Sequence, residues 1–352
     1  MKNGYREQLD SLRFSEEQKA QMVNRLMEAQ TQPVISYKKR TPLRRMAAIG
    51  IAAAVVMTVG AGATVVYNKL ASESFAGVFG TAQTEIVDKI GRPIGASDTD
   101  NGVTITADAI IGDKYHYAIA YTIAKEDGTA FDLGNTEPIA GKYLPLRFSE
   151  WDTSIGYLGG MHGSSYFYDA DPGDNTIQYV EMREADGKLP HGIAKARFED
   201  LRLANGDDER IMAEGQWMLK FNFDFEDTSV SLPAGQTFDL NGMTATIDKI
   251  TLSPIAMRVD YTVDREVQWD DKAESGRQSE QDREQMMKYF ESVSIVLTKT
   301  DVTTLDLSNA GGSIEPKNGK TVCQKGDVFD EIVPLEEVDH ITVAGIEIPV
   351  GE

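Results

Sequence analysis

Between Met46 and Tyr67 the chain reads MAAIGIAAAVVMTVGAGATVVY, 22 residues without one charge. At about 1.5 Å per residue, a helix of that length crosses a hydrocarbon core of roughly 30 Å. Lys38, Lys39, Arg40, Arg44 and Arg45 stand just before it, and only Lys69 closely follows. A basic excess marks the cytoplasmic side, so the pattern predicts a single-pass membrane protein with residues 1–45 inside and the long carboxy-terminal part outside. A buried core helix is disfavoured by the flanking cations. A signal peptide cut near Ala61-Gly62-Ala63 is disfavoured by the 45 residues that precede the run. Gly50 and Ala54 have the small-xxx-small spacing of a helix dimer, a weak signal in so Ala-rich a stretch.

Charge divides at the same place. The chain has 35 Lys/Arg and 56 Asp/Glu, a net of −21. Residues 1–45 hold ten of the cations and five acids, a net of +5, so the rest carries −26. An acidic exterior repels nucleic acid and anionic lipid, and no nucleic-acid partner is expected. Cys323 is the one cysteine, so the exterior folds must rest on apolar cores without an internal disulfide.

Inside, Tyr5, Leu9 and Leu12 form one apolar stripe. Ser15-Glu16-Glu17-Gln18 is a capping box that opens a second helix running to about Gln30, ahead of Pro33. On that helix Ala20, Met22, Val23, Leu26 and Met27 share one arc. Two helices this short cannot bury their stripes against each other, so this face calls for a protein partner or the inner membrane surface. Mixed charges at Glu17, Arg25 and Glu28 favour the protein.

Outside, after a brief stalk over 68–74, short Val/Ile/Thr/Tyr-rich segments alternate with turn residues, which predicts antiparallel β-sandwiches. Gly102–Ile123 aligns without a gap on Gly242–Val263 at an offset of 140, with Gly102/Gly242, Thr104/Thr244, Thr106/Thr246, Asp108/Asp248, Tyr121/Tyr261 and Thr122/Thr262 identical. Two related sandwiches in series are therefore expected, over about 75–230 and 233–352. Gly141–Asp174 reads as irregular, Asp227–Gly235 as a linker, and 268–291 as a charged helical insertion.

Chemistry is sparse. His116, His162, His191 and His340 are scattered, with no second ligand at metal spacing, and each reads as a surface or turn residue. No nucleophile elbow, phosphate loop or S-x-x-K set occurs. No catalytic residue, cofactor or metal is expected, and the protein is not read as an enzyme. Asp98–Gly102 and Asp169–Asn175 hold alternate acids suited to calcium, but such residues also build ordinary turns.

The segment from Phe75, FAGVFGTAQTEIVDKIGRPIGASDTDNGVTITADAIIGDKYHYAIAYTIAKEDG, resembles the domain of unknown function numbered 4179. That family occurs in Gram-positive bacteria on single-pass proteins regarded as membrane-bound anti-sigma factors for extracytoplasmic-function sigma factors. The part from about Phe238 resembles the immunoglobulin-like domain that often follows it, and the segment around Ser15-Glu16-Glu17-Gln18 is similar to the inside helix of such proteins. The resemblance implies a sigma factor bound by the inside helices and an envelope condition or ligand sensed outside. One departure is plain: residues 1–45 contain neither His nor Cys, so the zinc-binding version of the inside domain does not apply.

Overall fold

The computed structural model describes residues 70–351, apart from 135–137, 140–141, 157–159, 206–207 and 271–277. The Met46–Tyr67 run and the helices expected in residues 1–45 lie outside the described residues. Among the described residues no helix is long and apolar enough to cross a membrane. What they form is mainly β.

Helices α1 (Ala71–Phe79) and α2 (Thr84–Ile90) come first, followed by β1 (Arg92–Asp100), β2 (Val103–Gly112), β3 (His116–Lys125), β4 (Leu146–Ser154), β5 (Met161–Tyr168), β6 (Ile177–Ala185), β7 (Gly192–Asn205) and β8 (Asp208–Phe223). One sheet runs β1-β2-β3-β6-β5 and faces a second, β4-β7-β8. Tyr117, Tyr121, Tyr179, Phe198, Trp217 and Phe221 fill the space between them. Trp217 Nε1–H donates to the Val103 carbonyl at 2.8 Å. The carboxylates of Asp98 and Asp100 accept from the backbone N–H groups of Met218 and Gln216, tying β1 to β8.

The second half holds β9 (Val230–Leu232), β10 (Thr237–Leu240), β11 (Met243–Leu252), β12 (Ala256–Val263), α3 (Glu280–Met286), a π-helical turn (Met287–Glu291), β13 (Ile295–Lys299), β14 (Thr304–Asp306), β15 (Gly311–Lys317), β16 (Lys320–Val328), β17 (Val338–Val343) and β18 (Ile346–Pro349). Sheet β10-β11-β12-β16-β15, with β9 also on β11, packs on β14-β13-β17-β18. Tyr289 and Phe290 of the π-turn are buried in that core, so the helical segment is seated on the sandwich by its carboxy-terminal end.

The internal repeat has a physical basis. Asn101-Gly102 and Asn241-Gly242 all sit at positive φ, 46° and 76° in one copy and 53° and 76° in the other. This is the turn whose twist suits a two-residue hairpin. In each copy the next strand slips register at its Asp, between Ala107 and Ala109 and between Ile247 and Lys249. The bulge lets Asp108 accept from Thr122 Oγ1 at 2.5 Å and Asp248 from Thr262 Oγ1 at 2.6 Å.

Three expectations need correction. Residues Ala71–Ser74, read as part of a stalk, belong to α1, which buries Ala71, Phe75, Val78 and Phe79. The supposedly irregular stretch from Gly141 supplies β4 and β5, because Gly and aromatic residues mask a strand alternation that pairing with β7 and β6 satisfies. The supposed linker contributes β9, paired with Ile250–Leu252.

The two Asp–Thr locks differ in burial: Asp108 is 2 % exposed, whereas Asp248 faces solvent. Removing a donor from a buried carboxylate costs more than removing it from a hydrated one. Thr122→Val should therefore lower the unfolding free energy by about 1.5–3 kcal/mol and Thr262→Val by less than about 1 kcal/mol, read from urea midpoints at unchanged slope.

Candidate functional site

Strand β6 reads Ile177-Gln-Tyr-Val-Glu-Met-Arg-Glu-Ala185, and every one of these residues is buried, charged ones included. A buried carboxylate needs charged or hydrogen-bonding partners. Glu184 finds them where the two sandwiches meet. His162 Nε2 approaches its Oε2 at 3.1 Å, His116 Nε2 the same oxygen at 3.6 Å, and Arg258 Nη1 its other oxygen at 3.7 Å. On its far side His116 holds Asp113, Nδ1 to Oδ1, at 2.9 Å. Asp113 also accepts from the backbone N–H groups of Tyr115 and His116, which makes the β2–β3 connection a closed turn.

The second sandwich completes the cluster. Ser253 Oγ donates to Asp113 Oδ2 at 2.6 Å. Arg258 Nη1 donates to the carbonyls of Ala185 and Asp186 at 2.9 and 3.1 Å, its Nε to Asp260 at 2.6 Å, and its guanidinium lies 4.2 Å from the centre of the Tyr115 ring. Beside Glu184 opens a cleft of about 340 Å³, lined by His162, Ser164, Gly311, Gly312, Gly326 and Asp327. Gly326 is required there, since a Cβ at that position would stand 2.4 Å from Glu184 Oε2.

Electrostatics follow from the geometry. Burial works against the charged form of His116, but Asp113 and then Glu184 overcome it and raise its pKa to about 10. Burial would raise the Glu184 carboxyl, yet His116 and His162 bring it down to about 2. Asp113, desolvated as well, is lowered by His116. His116 is thus held as an imidazolium by two carboxylates, its Nδ1 bonded to Asp113 and its Nε2 in charge contact with Glu184, and Ser253 is bonded to the carboxylate and not to the ring. The arrangement is an ion lock: it fixes the orientation of one sandwich on the other and leaves no lone pair on His116 for a proton to be taken up.

The sequence reading of these residues was uneven. His116, expected at a surface or turn, is fully buried, because the second sandwich covers the turn it follows. His162 borders the cleft, while His191 pairs with Asp224 and His340 with Asp339, both toward solvent. Ala20, Met22, Val23, Leu26 and Met27 lie outside the described residues. Asp98 and Asp100 bond β8, and Asp171 and Asp174 close turns onto Gly173 and Thr176, so these acids act as backbone acceptors. Asp113, Glu184, Ser253 and Arg258 were missed. The available signals were Asp113-x-x-His116, which is an Asx-turn pattern, and charged residues set in an otherwise buried strand. Cys323 is buried, and burial pushes its thiol up to about 12, so it stays protonated. Lys325 next to it is fully buried, donates to the Phe290 and Val293 carbonyls, and is drawn down to about 8 by desolvation.

Comparison with known proteins places part of this architecture. Residues 42–125 match the family model described as Domain of unknown function (DUF4179). The match ends on the last residue of β3, so it takes in α1, α2 and the first copy of the repeat. No curated protein matches the chain. Among solved structures, "The crystal structure of the conserved domain protein from Bacillus anthracis" is similar at 14% identity and a TM-score of 0.44, over 72% of this chain and 76% of that one.

The ion lock has a pH signature. The raised pKa of His116 means that its contribution is complete below the unfolded value of about 6.5 and is lost as pH climbs toward about 10. Unfolding free energy should fall with a slope approaching 1.4 kcal/mol per pH unit between about pH 6.5 and 8, and His116→Gln should abolish that slope. Above about 8 Lys325 works in the opposite sense, because its depressed folded pKa favours the native state as protons leave. Loss of one member of the cluster should cost about 3–5 kcal/mol. An unaltered slope in the His116→Gln protein would refute the assignment.

Proposed function

We propose that the chain is a membrane-anchored regulator of the anti-sigma class. Residues 1–45 hold an extracytoplasmic-function sigma factor on the cytoplasmic side, Met46–Tyr67 spans the membrane, and two immunoglobulin-like sandwiches outside sense an envelope condition. The observation that carries this reading is the continuous match over residues 42–125. It starts in the basic cluster, runs through the uncharged segment and continues into the first sheet as far as residue 125, which supports reading the uncharged segment together with the domain that follows it. The charge division between a basic amino-terminal segment and an exterior of −26 supports the orientation. The chemistry of the junction suits regulation by contact, since its buried ions hold two modules in one arrangement.

On this reading the apolar arc of the second inside helix is what the sigma factor buries, with Val23 and Leu26 at its centre. Each contributes about 1.5–3 kcal/mol by burial. Val23→Asp or Leu26→Asp should therefore weaken capture of a sigma factor by the full-length protein about tenfold or more. Arg25→Ala and Glu28→Ala, on the polar face, should leave it within about twofold. In cells the Leu26→Asp protein should reach the membrane and leave the sigma-dependent genes switched on. Unchanged transcription after deletion of residues 1–45 would end the proposal and leave a surface-binding module in its place.

A further inference from the structure

The helical pair α1–α2 is the first element among the described residues, beginning at Ala71, four residues past Tyr67. A helix of nine residues is not stable by itself in water and keeps its form only through what it packs on. The two helices are joined by Ser72, whose backbone N–H and Oγ–H both donate to the Asp88 carboxylate at 2.9 and 3.0 Å. Their seat is the outer face of the first sheet, where Ala109, Ala118 and Ala120 present only methyl groups. Gly77 lies so close to Tyr168 that a Cβ there would meet the ring at 2.3 Å.

That seat is shallow and does not account for the whole core. The apolar cluster holding Ala71, Phe75, Val78, Phe79, Val87 and Ile90 also holds Ile255, Ala256 and Ile332 of the second sandwich. Ile255 and Ala256 are fully buried at the β11–β12 turn, beside the Ser253 that bonds Asp113. At the rim Gln83, which precedes α2 in a left-handed conformation at φ 58°, donates to Glu337 of the second sandwich at 3.3 Å. The helices and the tip of the second sandwich thus lie in one continuous apolar cluster on the outer face of the first sheet and are bridged at its rim by Gln83 and Glu337, so displacing either exposes part of that cluster.

We infer that α1–α2 is a strap whose seating depends on the second sandwich being docked: undocking that sandwich loosens the helices that connect the exterior to residue 69 and the segment before it. This goes beyond the regulatory reading and holds whatever residues 1–45 bind. The coupling is one equilibrium, so it must act in both directions. Lifting α1 must loosen the second sandwich's tip as surely as removing the tip loosens α1.

Amide hydrogen exchange on the full-length protein in detergent micelles tests this. Ile255→Asp and Ile332→Asp place a charge in the shared cluster, and each should speed exchange of the α1 and α2 amides at least tenfold. Exchange in β7 and β8, which lie in the opposite sheet of the first sandwich, should stay as in the unaltered protein. Ile332→Ala, which removes contact without adding charge, should give the same pattern at a few-fold. Phe75→Asp should in turn speed exchange at residues 253–257 and 329–333. Wild-type protection of α1 in the Ile255 and Ile332 variants overturns the strap. Loosening in one direction only overturns it too, as does loss of protection across β7 and β8, which would mean that the exterior opens as a whole.

Discussion

The outer face of the first sheet is apolar, and its burial dictates how the exterior is assembled. Ala109, Ile111, Ala118, Ala120, Val180 and Met182 point away from the core of their own sandwich. A sheet with two apolar faces must be covered on both. One side is closed by β4-β7-β8, the other by α1, α2 and the tip of the second sandwich. The result is that segments read from sequence as separable, the lead-in from the membrane side and two tandem modules, share a single apolar surface.

Apolar contact favours association but is indifferent to angle, and the polar cluster supplies the direction. Asp113, His116 and Glu184 present fixed charges from one side, and Ser253 and Arg258 answer from the other. Arg258 alone bonds two carbonyls and an acid and stacks on Tyr115. Burying so many ions is costly unless all are paired, which is why small displacements of one sandwich are penalised. Glycine at 326 is part of the same geometry, because a side chain would occupy the space of the Glu184 carboxylate.

The repeat shows one motif under two conditions of burial. Both copies have the Asn-Gly turn, the bulged Asp and the Thr that bonds it. In β2 all residues but Thr104 are buried, and in β11 burial alternates until the strand reaches the junction. The outer face of the first sheet is covered by the helices and the tip of the second sandwich, and the Asp–Thr pair that faces solvent in the second copy is buried in the first.

Local chemistry was enough to read the strands of the repeat from the chain, because period-two alternation acts over a few residues, whereas the Asn-Gly turns that open each copy were recognised only in the structure. The mainly β character follows from the same short-range signals, and a single cysteine already implies cores without an internal disulfide. Where alternation was masked, as in β4, β5 and β9, the strands are recognised by their partners, and those lie far away in sequence. A helix as short as α1 is decided by the surface it lands on, so its residues looked like a stalk. The ion lock was beyond reach for the same reason: Asp113 and Ser253 are 140 positions apart, and nothing in the residues beside either one specifies the other. His116 illustrates the divide most clearly. Its place after an Asx turn is written in four consecutive residues, whereas its burial and its charge exist only because a second sandwich comes to rest upon it.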